Sequence, residues 1–274
     1  GGLSTIHLSF GWYNNLIYTE YGINGSLNIS ICDYNRGGFG FTPSKQRGDK
    51  SIESEVNHLM EIADEIFGAN SSFHLMGHSR AGVILLMAKM RHPQRVSSLI
   101  IFDGVSNANT IRYEAVDPDR KQWASDSAGY WIWYHIYGVV MPLTPTQIST
   151  SFAVQFSGAS SKENMYEPEL SGKYYSLRYY LYQSVVWEAK DMSEGYRNTM
   201  KLYNEGNYTY SLDPVLNVEC DEGYAEEIVY SAANQTLYVR ASHGACVLDK
   251  DIANLIFSYA DHGVKAFYDG IFLS

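Results

Sequence analysis

Apolar and polar positions change rhythm along this chain, and the rhythm predicts its elements. From Leu27 to Asp33 the residues alternate (Leu-Asn-Ile-Ser-Ile-Cys-Asp), as in a strand with one buried face. Between Lys50 and Phe67 the apolar residues Ile52, Val56, Leu59, Met60, Ile62, Ala63 and Ile66 gather on one helical face, with Gly68 and Asn70 as the stop. A short apolar run, Phe73 to Met76, predicts a strand, and Arg80 to Met90 predicts a helix closed by His92-Pro93. Val96 to Phe102 predicts the next strand, ending at Asp103-Gly104. Near the end, Thr236 to Ala241 predicts a strand, Asp249 to Asp261 an amphipathic helix stopped by Gly263, and Val264 to Tyr268 a last strand.

Strand, helix and strand in alternation predict an α/β protein with a mostly parallel sheet flanked by helices. Ligands bind such sheets at the carboxyl ends of the strands, where Asp33, Ser79 and Asp103 all fall by this reading. From about residue 107 to 200 the strand signals stop and Tyr and Trp accumulate. This stretch is expected to be a helical cap inserted into a core made of 1–106 and 201–274.

Composition narrows the functional classes. At 274 residues the chain can bury a sizeable core. Its net charge of −10 argues against a nucleic-acid surface, which needs a basic stripe. The most apolar window, Gly129 to Leu143, is too short for a membrane span. Three cysteines, Cys32, Cys220 and Cys246, do not make a disulfide framework. Sequons for N-glycosylation occur at Asn24, Asn28, Asn70, Asn207 and Asn234, of which Asn28 falls inside the expected first strand. They leave the compartment open between cytoplasmic and secreted. Neither a metal-binding spacing nor a phosphate loop is visible, so no metal and no cofactor is expected: Gly37-Gly38-Phe39-Gly40 lacks the Lys-Ser/Thr of a P-loop.

The centre of the pattern is Phe73-His74-Leu75-Met76-Gly77-His78-Ser79-Arg80-Ala81-Gly82. It reads as strand, tight turn and helix with Ser79 at the apex, close to the G-x-S-x-G nucleophile elbow but with Ala81 in the last glycine's place. Around it, Gly1-Gly2-Leu3 resembles the inside of an H-G-G-L motif and Asp33 to Gly40 a D-x-R-G-x-G loop with two extra residues. His92-Pro93-Gln94-Arg95-Val96 with Leu99 to Gly104 resembles H-P-E-R-V…L-V-L-V-D-G, and Tyr210 to Pro214 resembles Y-x-x-D-P. Together these resemble the α/β-hydrolase superfamily, in its cap-containing branch. On this resemblance the family's first strands precede Gly1, so the chain is expected to be a fragment.

The resemblance implies a serine hydrolase that cleaves an ester or similar acyl bond of a small apolar substrate. Ser79 would be the nucleophile, and the Ser argues against chemistry that uses Asp there. A Ser hydroxyl needs a base within reach and an acid to orient that base. Asp103, at a strand end, is the candidate acid. The loop where the family carries its His reads Tyr268-Asp269-Gly270-Ile271-Phe272-Leu273-Ser274, without one. Of the eight histidines, His78 is expected to pack away under the elbow, and His74 to sit in the core. The base is then either replaced or beyond residue 274, and His243, after the strand at 236–241, is the candidate base within the chain. The backbone amides of Gly2 and Arg80 would form the oxyanion hole. The missing His motivates an alternative: a hydrolase-fold protein without catalysis that binds a small ligand or a partner under its cap.

Overall fold

A parallel pair of strands with a helix between them occupies the centre of the first part of the chain. The computed structural model describes residues 6–25, 27–33, 52–104, 151, 154, 158–170, 214–233 and 235–273. They fall into two compact units. Among the described residues the first unit holds 52–104 and 214–215, and the second holds the rest.

In the first unit, helix α2 (Ile52–Phe67) precedes strand β1 (Phe73–His78), helix α3 (Ala81–Arg91) and strand β2 (Val96–Phe102). β1 and β2 are parallel, with Leu75 opposite Leu99 and His78 opposite Phe102. A parallel pair needs a crossover, and α3 supplies it. Every residue of α3 from Gly82 to Met90 is buried, because strands and α2 cover it on several sides. α2 is buried on one stripe only, at Ile52, Val56, Met60 and Ala63, the spacing of a helix that faces a core on one side. Ile66, expected on that stripe, is 52% exposed. These residues join Leu86, Leu99, Ile101 and Val215 in one core, where a fully buried Leu or Ile is worth about 1.5–3 kcal/mol. Gly68 ends α2 in the left-handed region, at φ +86°. Arg95 then fastens the end of α2 to the start of β2: it pairs with Asp64 at 2.8 Å, donates to Ser71 O and lies over the Phe73 ring.

The second unit begins with helix α1 (Ile6–Ile17), which continues as a π-helix over Tyr18–Asn24. Strands β3 (Val215–Cys220), β4 (Ile228–Ser231) and β5 (Thr236–Val239) follow, and Val215 is the one residue of β3 in the first unit. β3 is parallel to β5, and β4 is antiparallel to β5 at the edge. Helices α4 (Ala245–Leu248), α5 (Lys250–Ser258) and α6 (Val264–Phe272) complete it. Asp249 caps α5 by accepting from the amides of Asp251 and Ile252. The strand pairing of the protein is thus mostly parallel, with helices around it, as the alternating pattern predicts.

Two strand expectations fail. Leu27 to Asp33 is not a strand: its backbone is irregular and most of its side chains are exposed. Leu27 N donates to Tyr21 O and Ile29 N to Leu27 O, so the local chain satisfies itself without a ladder. Alternation says which side chains could share a face, and no partner strand covers that face among the described residues. Asp33 therefore does not end a strand; its carboxylate accepts from Asn14. Val264 to Tyr268 is helical, the first part of α6. Val264 and Tyr268 are its buried residues, and Phe272 stacks on Tyr268, an i, i+4, i+8 stripe that fits a helix better than a strand. The cysteines make no framework but do make one bond: Cys220 and Cys246 form a disulfide, with Cα atoms 6.2 Å apart, and Cys32 is a free, exposed thiol. Most of the expected cap lies outside the described residues; 158–170 belong to the second unit.

Candidate active site

Ser79 sits where β1 turns into α3, and its backbone is in the left-handed region at φ 59°. An L-residue there is strained by about 1–3 kcal/mol and persists only where its surroundings fix it. The surroundings do so. Ser79 N donates to Phe102 O at 2.9 Å, and Gly82 N donates back to Ser79 O at 2.9 Å. A Cβ on Gly77 would stand 2.8 Å from both Ala81 Cβ and Leu85 Cδ1, so only glycine lets strand and helix approach so closely. Ala81 fits in the position where the elbow motif carries its final glycine.

Asp103 occupies the equivalent place on the neighbouring strand, just beyond β2, and it too is left-handed at φ 44°. The register pairs His78 with Phe102, so Ser79 and Asp103 leave the ends of adjacent parallel strands side by side. Gly104 completes this approach: a Cβ there would lie 2.7 Å from Ser79 O. The geometry thus brings Ser79, Arg80 and Asp103 together within one unit. Arg80 is the residue before the first turn of α3, with helical backbone angles, where an amide can point out of the helix N-terminus.

His78 is the last residue of β1. It is buried, and one of its ring nitrogens lies within 4.8 Å of an Asp103 carboxylate oxygen. Strand alternation places His78 opposite in direction to Gly77, a clue that gives no distance to a residue on another strand.

His243 belongs to the second unit. It is exposed, in the turn between β5 and α4, at the carboxyl end of a strand that runs parallel to β3. That turn is held from several directions. Cys246, on the first turn of α4, is bonded to Cys220 at the end of β3. The buried Tyr13 hydroxyl donates to Cys246 O at 3.0 Å, and burial pushes the phenol's pKa up, so it remains a donor. Gly158, left-handed at φ +70°, lies against Ser242: a Cβ there would overlap the Ser242 hydroxyl. The 158–170 segment is anchored by buried Asp249, which accepts from Ser160 N at 2.7 Å and Ser160 Oγ at 2.6 Å. Sequence reasoning misses all these supports. The Cys220–Cys246 pair offered the one signal, and pairing two of three cysteines needs coordinates. Gly2, the other candidate oxyanion donor, lies outside the described residues.

One solved structure similar to this chain is ALR0039 from Nostoc sp PCC 7120, described as an α/β hydrolase: the identity is 14%, the match covers 100% of this chain and 89% of that one, and the TM-score is 0.53. Another is a point mutant of CumD, a meta-cleavage product hydrolase from Pseudomonas fluorescens IP01, at 15% identity over 92% of this chain and 86% of that one, with a TM-score of 0.50. The fold is the α/β-hydrolase fold. No family model matches the sequence, and no curated protein is similar to it, so the likeness is one of structure. Among the described residues no helix is long and apolar enough to cross a membrane.

Proposed function

We propose that this chain is a serine hydrolase that cleaves an ester or similar acyl bond of a small apolar substrate. Ser79 attacks the carbonyl carbon, and His243 takes the hydroxyl proton. Asp103 orients the imidazole and stabilises its cationic form. The amides of Arg80 and Gly2 receive the developing oxyanion, a contribution worth about 3 kcal/mol per donor in such sites. The imidazolium then gives its proton to the leaving group, and water releases the acyl group by the same steps in reverse. The observation that carries this reading is Ser79 itself: a non-glycine residue held left-handed between a strand and a helix, beside a carboxylate on the adjacent strand end. Hydrolases among the solved structures of this fold support it at the level of class.

A second reading has its own observation. Residues Val264–Phe272 form a helix and contain no His, although the family pattern places its base near there. A protein that binds a small ligand under its cap without turnover accounts for this.

One experiment separates the two. The full-length protein is treated with an organophosphonate probe and assayed on a short-chain p-nitrophenyl ester. The hydrolase reading expects covalent label on Ser79 and turnover. Ser79→Ala should lower turnover by about 10³-fold or more and abolish labelling. His243→Ala should lower it to a comparable degree, and His78→Asn should cost less. No label and no turnover in the unaltered protein overturns the reading. A larger loss at His78 than at His243 overturns the assignment of the base.

A further inference from the structure

Two kinds of residue outside the proposed site point to one history for this chain. The first is the Cys220–Cys246 disulfide, which ties the end of β3 to α4. Disulfides of this structural kind form in oxidising compartments and are rare in a cytosol kept reducing by glutathione. Their formation passes two electrons to a thiol–disulfide oxidant of that compartment and releases two protons.

The second is the placement of the sequons. Asn28-Ile29-Ser30 lies in the irregular stretch after the π-helix, and both Asn28 and Ser30 are exposed. As a strand residue with a covered face Asn28 would be a poor acceptor; as part of an irregular, exposed segment it is a suitable one. Asn70-Ser71-Ser72 follows α2. Gly68 turns the chain there, Ser71 N closes the turn onto Gly68 O at 3.1 Å, and Asn70 and Ser72 are exposed. A glycan is added while the chain is still unfolded, so the folded protein must only leave room for it, and both positions do. The sequons at Asn24, Asn207 and Asn234 lie partly or wholly outside the described residues.

We propose that the chain matures in an oxidising, glycosylating compartment and carries N-linked glycans on Asn28 and Asn70. In each transfer the asparagine amide nitrogen bonds to the anomeric carbon of an oligosaccharide held on a lipid pyrophosphate. The anomeric carbon–oxygen bond breaks, the lipid pyrophosphate leaves with the electron pair, and the amide nitrogen loses one proton. The disulfide and the glycans are linked by compartment alone, which makes them independent witnesses.

The test uses the native full-length protein purified from its own cells with free thiols blocked at lysis. Non-reducing peptide mapping should recover Cys220 and Cys246 on joined peptides. Peptide N-glycosidase in heavy-oxygen water should increase gel mobility and convert Asn28 and Asn70 to labelled aspartate. Unmodified asparagine at both positions overturns the proposal, whatever the state of the cysteines. Modification at one alone overturns the assignment at the other. Blocked, unpaired Cys220 and Cys246 overturn the oxidising compartment.

Discussion

The turn after β1 and the turn after β5 are built on one plan by different means. Each leaves the carboxyl end of a parallel strand, carries one candidate catalytic side chain and enters a helix. The Ser79 turn is shaped by shape itself. Its left-handed backbone is fixed by two amide hydrogen bonds and by glycines at 77 and 104 that let neighbouring atoms approach. The His243 turn has no positive-φ residue. It is secured by ties that come from far along the chain: the disulfide to β3, the Tyr13 hydroxyl, and the segment around Gly158 with its Asp249 anchor. A turn set by local sterics can be specified by a few adjacent residues. A turn set by distant ties depends on each tie being made.

Breaking the distant ties should have the larger effect on stability. Changing both Cys220→Ala and Cys246→Ala removes a crosslink spanning 26 residues. Chain-entropy reasoning puts the loss at about 3 kcal/mol, read as a lower denaturant midpoint at unchanged slope. Hydrogen exchange should rise in α4 and the His243 turn far more than in α3. Equal loosening of both turns would show that the disulfide supports the whole protein and not the His243 turn in particular.

The local turn has its own point of attack, with a somewhat smaller effect. Gly77→Ala places a methyl group 2.8 Å from Ala81 Cβ and Leu85 Cδ1, and overpacking of this kind costs about 2 kcal/mol. Gly270→Ala is the matched control. Nothing lies within 4 Å of a Cβ there and the residue is helical, so the change should stabilise by up to about 1 kcal/mol. Thermal unfolding of the two variants checks both signs. A neutral Gly77→Ala would mean that the strand and helix can separate without cost, and the steric account of the elbow would fail.

The same contrast explains what the sequence made legible. The elbow, its strand, its helix and the strand after it are contiguous, so periodicity and a short motif define them, and Val96–Phe102 matches residue for residue. Asp103 is legible because it ends that strand. β3 is hard to read from sequence although Leu216, Val218 and Cys220 alternate and are buried, since it is short and follows a proline. Leu27 to Asp33 misled because alternation cannot reveal whether a partner strand exists. Val264 to Tyr268 misled because its helical stripe emerges only when Phe272 is counted with it. The supports of His243 were not legible: Tyr13 reaches Cys246 across 233 positions, and no local pattern encodes such a bond.

The pairing of β1 with β2 contains a half-buried imidazole that gives the smallest expected effect. His74 on β1 faces Ser98 on β2, with its Nδ1 2.8 Å from the Ser98 hydroxyl. Burial lowers the imidazole's pKa, and the nearby Lys89 ammonium lowers it further. Lys89 cannot move away easily, since it is buried and donates to Val96 O and Ser97 O. The folded protein therefore resists protonating His74, while the unfolded chain takes up the proton at an ordinary imidazole pKa. Stability is unaffected above that range and falls as the pH drops through it, until the folded form is protonated as well. His92, also lowered chiefly by burial, has the same sign, so a single variant must isolate the contribution. His74→Asn keeps a polar group near Ser98 and cannot titrate. Between about pH 8 and about pH 5, where an imidazole changes charge, the melting temperature of the unaltered protein should fall further than that of His74→Asn. Equal falls would place the acid sensitivity elsewhere and leave the β1–β2 pair, and the elbow built on it, indifferent to pH in this range.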